Sequence, residues 1–357
     1  WLLKEELRRA GSLLLECAAV ARVPGGQALT VDRVVFAEEV TRRLMAEPRI
    51  TISRTEITAI PSEGLVILAT GPLTSDALAQ EIARITGSDR LYFYDSISPI
   101  VDAETIDRSI AFAASRWGKS IDGTDDYLNC PFDKPQYEAF LDALLDGQAV
   151  PAHIAADDPS TPFFEACLPI EVLARRGRDT LRFGPMKPTG LTDPRTGRRP
   201  YAVVQLRQEN VRADSYNLVG FQNHLRFGEQ QRILRMIPGL ERAEFLRYGQ
   251  IHRNTYINGP TLLNERLQLK PEPRIYFAGQ ITGVEGYVES IATGLLAGRY
   301  AAQAACGEAA TTVPRGTALG SLLRHITQAD PEDYQPANIT LCRRALGEFD
   351  EYLAARV

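Results

Sequence analysis

Apolar and polar positions are most informative near the carboxyl end of the chain, where three patterns follow one another. Residues 275–278 form a short apolar run that stops at a glycine, which predicts a buried strand. A glycine-rich loop follows at 279–286, and Tyr287, Ile291 and Leu295 then recur at helical spacing. A strand, a glycine loop and a helix in this order can bring backbone N–H groups against a phosphate or a ring, and an ordinary strand–turn–helix corner has the same pattern.

The amino-terminal part is predicted to alternate helices and strands. The spacing of leucines and alanines predicts one amphipathic helix over 2–21, and Asp32 is placed to cap the helix after it. A helix that starts at Ser75 or Asp76 is expected to end at Gly87. Short apolar runs predict strands over 28–31, 50–53, 56–60, 65–69 and 91–94.

The middle of the chain is predicted to combine helices with antiparallel strands. Asp133 is placed to cap a helix over 136–145, whereas 149–160 is mixed in character and is expected to be a surface loop. Apolar runs at 203–206 and 218–221 predict strands of one antiparallel sheet.

Composition describes a globular protein of two or three domains. The chain has 357 residues, of which 44% are hydrophobic and 24% charged, and this length allows sizeable cores. No apolar run approaches the ~18 residues that a membrane helix needs, and no signal-peptide pattern is present. The five cysteines are widely spaced without a C-x-x-C pair, and only four histidines accompany them. This usage argues against a metal site or a disulfide framework and indicates a reducing cytoplasm.

Charge is distributed unevenly along the chain. The net charge is −5, yet residues 171–260 contain 16 Lys and Arg against 8 Asp and Glu, a net of +8. The remainder must therefore carry −13. Such asymmetry indicates a basic working face on an otherwise acidic protein.

Several motifs resemble one known family. The run FAGQITGVEGYVESIATG at 277–294 resembles the flavin-contacting segment of the TrmFO family, the folate- and FAD-dependent tRNA (uracil-C5) methyltransferases. The related MnmG-type enzymes share A-G-Q-I-x-G-x-x-G-Y, but the V-E-G-Y-V-E-S run is closer to TrmFO. Further matching stretches are DDYLNCPF at 125–132, FFEACLPIE at 163–171, GPMKPTG at 184–190, YAVVQLR at 201–207 and GQIHRNTY at 249–256. The resemblance thus covers nearly the whole chain.

The resemblance implies an α/β fold with a discontinuous flavin domain. Residues 1–93 and 260–357 are expected to form a Rossmann-like FAD-binding domain, and 94–259 an inserted α+β domain that binds substrate and RNA. A-T-G at 69–71 and A-G-Q at 278–280 both resemble flavin-domain elements, and too many residues separate them for one loop.

The family's G-x-G-x-x-G fingerprint does not occur in this sequence, which begins at Trp1. In the family the fingerprint lies in an amino-terminal strand–turn–helix that precedes a catalytic cysteine. We therefore expect that this segment is missing, and that the chain as it stands binds FAD weakly or not at all, because the pyrophosphate needs that helix N-terminus.

The function that the resemblance implies is methylation of uridine C5 in the T loop of tRNA. The carbon comes from 5,10-methylenetetrahydrofolate, reduced FAD carries it and supplies electrons, and NAD(P)H is the reductant. Two alternatives stay open: an MnmG-like or other flavin-dependent RNA modification, including methylation of ribosomal RNA, and a non-catalytic RNA-binding remnant. No membrane is involved, and the oligomeric state is not specified.

Cys167 is the candidate nucleophile. An isolated cysteine among apolar residues is usually inert, but FFEACLPIE resembles the stretch with the family's second catalytic cysteine. A thiolate that adds to C6 of uracil makes C5 nucleophilic toward a one-carbon unit. Arg175 or Arg182 could stabilise the thiolate or the enolate.

The remaining candidate residues fall into three groups. Cofactor-binding candidates, from the resemblance, are Thr70, Gly71, Gly279, Gln280, Gly283, Glu285, Gly286 and Tyr287. Folate or substrate candidates, from the resemblance, are His252, Arg253, Asn254, Lys187 and Arg207. A lone histidine such as His252 is more often structural, and Lys187 and Arg207 could equally be partly buried stems with solvated heads. RNA candidates, from the basic segment, are Arg195, Arg198, Arg199 and Arg212, although a solvated arginine-rich turn is an alternative for Arg198 and Arg199.

Overall fold

Two units make up the chain, each with its own sheet and its own apolar core. The first consists of Trp1–Glu16, Leu44–Phe93 and Arg253–Val357, and the second of Cys17–Arg43 and Tyr94–His252. The computed structural model describes residues 2–87, 91–150, 168–332 and 334, and it does not describe the side chains of 91–96 and 251–253.

Helices and strands are interspersed along the sequence of both units. The helices are α1 (Leu2–Arg9), α2 (Leu13–Val20), α3 (Arg33–Met45), α4 (Asp76–Thr86), α5 (Lys134–Leu145), α6 (Ile170–Arg175), α7 (Thr180–Phe183), α8 (Phe227–Leu234), α9 (Gly259–Leu262), α10 (Tyr287–Cys306) and α11 (Ala318–Gln328). The strands are β1 (Arg22–Val23), β2 (Thr30–Val31), β3 (Val66–Leu68), β4 (Leu91–Ile97), β5 (Ile100–Asp102), β6 (Phe112–Ala113), β7 (Tyr127–Phe132), β8 (Ala202–Gln208), β9 (Ser215–Leu218), β10 (Phe245–Arg247), β11 (Gln250–Tyr256), β12 (Gln268–Leu269) and β13 (Glu272–Phe277).

A three-stranded sheet of order β12–β13–β3 organises the first unit. β13 pairs in parallel with β3, with Ile275 opposite Val66 and Phe277 opposite Leu68. The long helix α10 packs on both strands, and the apolar faces of α1, α10 and α11 share one core with them. Two strands from distant parts of the sequence therefore run side by side and end at the same edge.

A six-stranded antiparallel sheet of order β10–β5–β9–β8–β7–β6 organises the second unit. Helix α5 covers it and buries Tyr137 and Phe140 against a core that includes Phe221. The predicted cap of α5 is confirmed, because Asp133 and Gln136 form a reciprocal capping box.

Residues 17–43 lie in the second unit, whereas the predicted boundary at 93 assigned them to the first. Hydrogen bonds within the second unit explain the difference. Gly26 donates to the Asp126 carboxylate, Tyr127 donates to the carbonyl of Gly25, and Val211 donates to Asp32.

The predicted helix over 2–21 is wrong as a single element. It is divided into α1 and α2, because Gly11 takes a left-handed backbone with φ 69° that ends the first helix. The strands predicted at 50–53 and 56–60 are also wrong: residues 50–59 are exposed, so they bury too little apolar surface to hold a pair of strands.

Other predicted boundaries agree with the structure. Asp32 accepts hydrogen bonds from the N–H groups of Val34 and Val35 at the start of α3. Gly87 ends α4 in a left-handed conformation.

The strand predicted at 218–221 is wrong in its bounds: β9 shares only Leu218 with it, because the chain turns at Gly220, which has φ 74°. The predicted antiparallel sheet is confirmed, since β9 pairs antiparallel with β8.

Glu6 joins two helices of the first unit through a buried carboxylate. It is fully buried on α1 and accepts the N–H groups of Ala318 and Leu319, at 2.8 and 2.9 Å, at the start of α11. Burial raises the pKa of Glu6, and the two backbone hydrogen bonds oppose that rise. Between the unfolded pKa of about 4.5 and the raised folded value, the folded state binds more protons than the unfolded state.

We expect Glu6→Gln to flatten the dependence of stability on pH. The contribution of Glu6 is largest below the unfolded pKa and is lost as pH rises through the raised folded pKa. Urea unfolding at a series of pH values should show the wild type losing stability relative to Glu6→Gln as pH rises through this window. Parallel profiles for the two proteins would contradict this assignment.

The neighbouring Glu5 provides a control of opposite sign. Hydrogen bonds from Arg8 and Arg9 lower the pKa of Glu5 to about 2. Its contribution to stability is therefore present above the unfolded pKa and lost only as pH falls toward that lowered value. Glu5→Gln should leave the profile above the unfolded pKa unchanged.

Candidate functional site

Three glycines shape the loop between β13 and α10. Gly279 has φ 77° and ψ −162°, a combination that only glycine adopts readily. Gly283 at φ 85° and Gly286 at φ 99° also lie in the left-handed range. A side chain placed at Gly279 would meet nothing within 4 Å, so the space beside this part of the loop is open.

Thr293, a buried residue of α10, holds this loop through a hydrogen bond. The hydroxyl of Thr293 accepts the N–H of Gly279 at 2.7 Å and donates to the carbonyl of Ser290. Thr282 donates to the carbonyl of Gly279, and Tyr334 donates to the carbonyl of Thr282 at 2.5 Å. These hydrogen bonds hold both ends of the Gly279–Thr282 segment in place.

The start of α10 directs backbone N–H donors toward the loop. Its N-cap residue is Gly286, which has no side chain to satisfy the first N–H groups. A helix of 20 residues concentrates partial positive charge there. Glu289 lies in the first turn, and burial raises its pKa. Near the loop's end, Gln280 contacts Glu285 at 3.4 Å.

Tyr287 does not lie on the apolar face of α10 as its spacing predicted. It is 90% exposed, and the buried face is formed by Ala292, Leu296, Ala297 and Tyr300. Tyr287 is the first residue of the helix, so no preceding turn covers its ring.

The A-T-G turn lies at the same sheet edge as the glycine loop. β3 and β13 are parallel with Leu68 opposite Phe277, so Thr70 and Gly279 each follow two residues later. Gly71 has φ 73°, and the hydroxyls of Thr70 and Thr74 are 2.6 Å apart. The structure thus brings the two groups of predicted cofactor residues together.

Asn254 belongs to this same region of the first unit. It is buried on β11, and the next residue, Thr255, donates to the carbonyl of Pro72 beside the A-T-G turn. Ile257 donates to the carbonyl of Ile281 in the glycine loop. The side chains of His252 and Arg253 lie outside the described residues.

Residues on this edge fit a flavin dinucleotide. Open space beside Gly279, a pinned loop and an uncapped helix N-terminus suit the approach of a ring and of anionic oxygen atoms. The donors are backbone N–H groups, which suit a neutral ring edge or a phosphate. Gly279, Gly283 and Gly286 are the residues whose backbone would lie against it.

In the second unit, Cys167 lies outside the described residues, but both flanks of its segment are described. Val150 donates to the carbonyl of His224, and Ile170 donates to the carbonyl of Gln222. The two flanks are therefore anchored on the same short stretch of backbone.

A carboxylate–imidazole pair lies at this anchor and was missed by the sequence analysis. Glu171 is buried, its Oε1 accepts the N–H of His224 at 3.0 Å, and the same oxygen is 2.5 Å from Nδ1 of the imidazole. A signal was available in the sequence, since Glu171 follows Cys167 by four residues within a matched motif. The pairing with His224 depends on tertiary structure and has no sequence signal.

The two arginines considered as helpers of the thiolate are in different situations. Arg182 stacks on the ring of Tyr201 at 3.6 Å and is ion-paired with Asp179. Arg175 ends α6 and is exposed.

The basic residues of the second unit that were predicted to bind RNA or substrate also differ in their environments. Arg195 is ion-paired at 2.8 Å with the buried Asp193, so its charge is already compensated. Arg198, Arg199 and Arg212 are exposed. Of the two substrate candidates in this unit, Lys187 is exposed and Arg207 is half-buried on β8.

Comparisons with known proteins identify the family. The model of the family described as glucose inhibited division protein A, GIDA, matches residues 2–309. A protein of Solibacter usitatus named methylenetetrahydrofolate–tRNA-(uracil-5-)-methyltransferase TrmFO is 68% identical, over 100% of this chain and 85% of that protein. A protein of the same name from Koribacter versatilis is 58% identical, over 99% of this chain and 84% of that protein. The chain belongs to the TrmFO family.

Solved structures confirm the α/β fold. GidA of Aquifex aeolicus in its form II crystal matches with a TM-score of 0.70 and 16% identity, over 94% of this chain and 60% of that one. The form I crystal gives a TM-score of 0.64 at 17% identity, over 86% and 56% of the two chains. At this identity the likeness concerns the fold of this TrmFO family member and not its substrate.

Among the described helices of this TrmFO family member, none is both long and apolar enough to span a membrane.

Proposed function

We propose that this chain is a flavin- and folate-dependent methyltransferase that converts uridine to 5-methyluridine in the T loop of tRNA. One observation carries the proposal: the 68% identity to a TrmFO methyltransferase extends over the whole chain. The glycine loop, the A-T-G turn and the N-terminus of α10, which lie together at one sheet edge, support a flavin site. FAD, when bound, supplies the electrons and carries the one-carbon unit derived from 5,10-methylenetetrahydrofolate.

The proposed roles of the protein's own residues divide between binding and chemistry. Gly279, Gly283 and Gly286 let the backbone of the loop lie close against the flavin, together with Thr70 and Gly71 across the sheet edge, and the first N–H groups of α10 are the donors. Gln280, Glu285 and Tyr287 contact it from the loop and the helix start. His252, Arg253 and Asn254 form the folate side, and Lys187 and Arg207 bind the glutamate of folate or an RNA phosphate.

Cys167 is the proposed nucleophile. Its thiolate sulfur bonds to C6 of the uracil, and the electron pair of the C5–C6 double bond moves onto the ring as an enolate, which makes C5 nucleophilic. After C5 has gained the one-carbon unit and lost its proton, the thiolate leaves C6 and the C5–C6 double bond re-forms. The unit arrives at the methylene level, so its conversion to a methyl group would take two electrons, which reduced flavin would supply.

The reductant is proposed to be NAD(P)H, the RNA to be tRNA rather than ribosomal RNA, and the compartment to be the cytoplasm. Incubation with unmodified tRNA, FAD, NADPH and 5,10-methylenetetrahydrofolate tests the first two of these points together. The expected product is 5-methyluridine at one T-loop position, detected by nucleoside mass spectrometry. A different modified nucleoside, or product with ribosomal RNA alone, would contradict the proposal.

We expect tRNA binding to depend on salt through exposed arginines of the second unit. Replacing Arg198, Arg199 and Arg212 together with glutamine should weaken binding and reduce the slope of log affinity against log salt by about 0.9 for each phosphate that the variant no longer neutralises. The measurement is a set of binding isotherms at several salt concentrations.

A matched control removes the same charge elsewhere. Arg42, Arg84 and Arg232 are each ion-paired with a glutamate one turn earlier on their own helix. Their triple replacement by glutamine should leave the salt slope unchanged. If the two triple variants have equal salt slopes, the RNA surface lies elsewhere. A single Arg195→Gln variant tests the remaining candidate, whose charge Asp193 already compensates.

A further inference from the structure

Trp117 has an unusual combination of strain and exposure. Its backbone is left-handed, with φ 53° and ψ 23°, a region that bulky residues rarely adopt. Its side chain is nevertheless 60% exposed. Burial of the indole therefore does not explain why a large aromatic residue occupies a position that suits glycine.

The residue before it is anchored in a buried polar network. Arg116 donates to the side chain of Gln205 at 2.9 Å and to the carbonyl of Thr189 at 2.9 Å. Gln205 in turn donates to Asn129, whose amide donates to three carbonyl groups of β6, β7 and the turn between them. The turn that presents the indole is thus fixed to β7 and β8.

The backbone of Gly190 covers one side of the indole. The backbone N–H of Trp117 donates to the carbonyl of Gly190 at 2.9 Å, which holds the turn against this glycine. A side chain at Gly190 would come within 2.7 Å of the indole atoms Cδ2 and Cε2, so only glycine allows this contact. Gly190 therefore lies against one side of the indole, and the exposed part of the side chain is on the rest of the indole surface.

Lys119 lies beside the exposed indole, and Arg207 lies on the strand to which the turn of Trp117 is anchored. The ammonium of Lys119 is 5.9 Å from the ring centroid. Arg207 lies two residues after Gln205 on β8 and so on the same face of the sheet as the Arg116 network. Tyr127 on β7 is the cross-strand partner of Arg207.

We propose that the indole of Trp117 is a stacking platform for an unpaired base of the RNA substrate, with Lys119 and Arg207 beside the adjoining phosphates. This inference rests on the proposed function, because it assumes an RNA substrate. A rigid aromatic ring with one exposed surface and cations next to it is the arrangement with which proteins bind single-stranded nucleic acid. The base to be modified lies in a loop, where neighbouring bases can leave the stack.

The chain offers a direct optical test. It contains two tryptophans, Trp1 and Trp117, so Trp1→Phe leaves the proposed platform as the single indole. Titration of this variant with unmodified tRNA should quench its fluorescence with the same midpoint as a filter-binding isotherm. Unchanged fluorescence at saturating tRNA would overturn the proposal, as would quenching by 5,10-methylenetetrahydrofolate without RNA.

Affinity measurements test the energetic role. Trp117→Ala should raise the dissociation constant for tRNA by about 5- to 150-fold at every salt concentration, with an unchanged salt slope, because stacking involves no charge. Trp117→Phe should retain most of the affinity. Trp117→Gly removes the ring at a backbone conformation that glycine prefers, so backbone strain cannot account for the same loss in this variant, and its unfolding midpoint checks the fold.

Phe183, which is 80% exposed in the same unit, is the matched control. Phe183→Ala should bind tRNA as the wild type does. Wild-type affinity in Trp117→Ala and Trp117→Gly, together with normal formation of 5-methyluridine, would overturn the platform and leave the proposed function intact. A wild-type protein that neither binds nor methylates tRNA would overturn both.

Discussion

Replacing Cys167 with alanine should abolish methyl transfer to uridine, with a loss of at least about a thousandfold in turnover. Uracil C5 is too weak a nucleophile to attack a one-carbon unit until a thiolate has added to C6. Alanine cannot make that bond, and no other step in the proposed reaction replaces it. The measurement is the rate of 5-methyluridine formation under saturating substrates.

Three further variants or probes separate chemistry from structure. Cys167→Ser should be nearly as inactive, because a serine hydroxyl stays protonated without a strong base. Cys306→Ala is the matched control, since Cys306 is an exposed thiol at the end of α10 and should be dispensable. RNA that contains 5-fluorouridine should trap a covalent adduct with the wild type and not with Cys167→Ala. Flavin content and unfolding midpoint should be the same in all these proteins.

Near-normal turnover in Cys167→Ala would show that the residue is structural. The attacking group would then have to be another cysteine.

Thr293→Val should loosen the flavin loop without changing its sequence. Valine matches the shape of threonine but removes the hydroxyl that accepts the N–H of Gly279. A partly buried N–H without an acceptor costs about 1–2 kcal/mol, which is about a tenfold loss in FAD affinity if the loop must be re-formed on binding. Denaturant unfolding measures the first quantity, and titration of FAD by flavin fluorescence measures the second.

Thr327→Val is the appropriate comparison. Thr327 is buried on α11 and donates to the carbonyl of Leu323 within its own helix. The Thr327→Val variant should lose less free energy of unfolding than Thr293→Val, because the carbonyl of Leu323 remains within its helix. The FAD affinity of Thr327→Val should be unchanged. Equal FAD affinity in Thr293→Val and the wild type would mean that the pinned loop does not carry the flavin.

Local signals determined several elements correctly because the relevant interactions are short in range. Asp32, Asp133 and Gly87 act on the backbone within three or four residues, so their positions predict where α3 and α5 begin and where α4 ends. The strand, glycine loop and helix over 275–298 were predictable for the same reason. Gly279, Gly283 and Gly286 mark backbone angles that other residues avoid.

The predictions failed at positions where burial, and not the local sequence, determines the secondary structure or the packing. The apolar runs at 50–53 and 56–60 have the composition of strands, yet they remain exposed and form none. Tyr287 fits a helical stripe by spacing, yet it lies at the helix start, where nothing packs over it. Residues 17–43 belong to the second unit because of bonds to residues about a hundred or more positions away, which no local pattern encodes.

Sequence alone thus determined the family, the α/β class, the glycine loop and the candidate nucleophile, since each is written in a contiguous motif. Tertiary structure decided which of those motifs meet. The parallel pairing of β3 with β13 puts the A-T-G turn beside the glycine loop, and the fold of the second unit pairs Glu171 with His224 and holds Trp117 over Gly190. The physical reason is that contacts between distant residues arise from the packing of whole elements, whereas caps, turns and strained glycines act on their immediate neighbours.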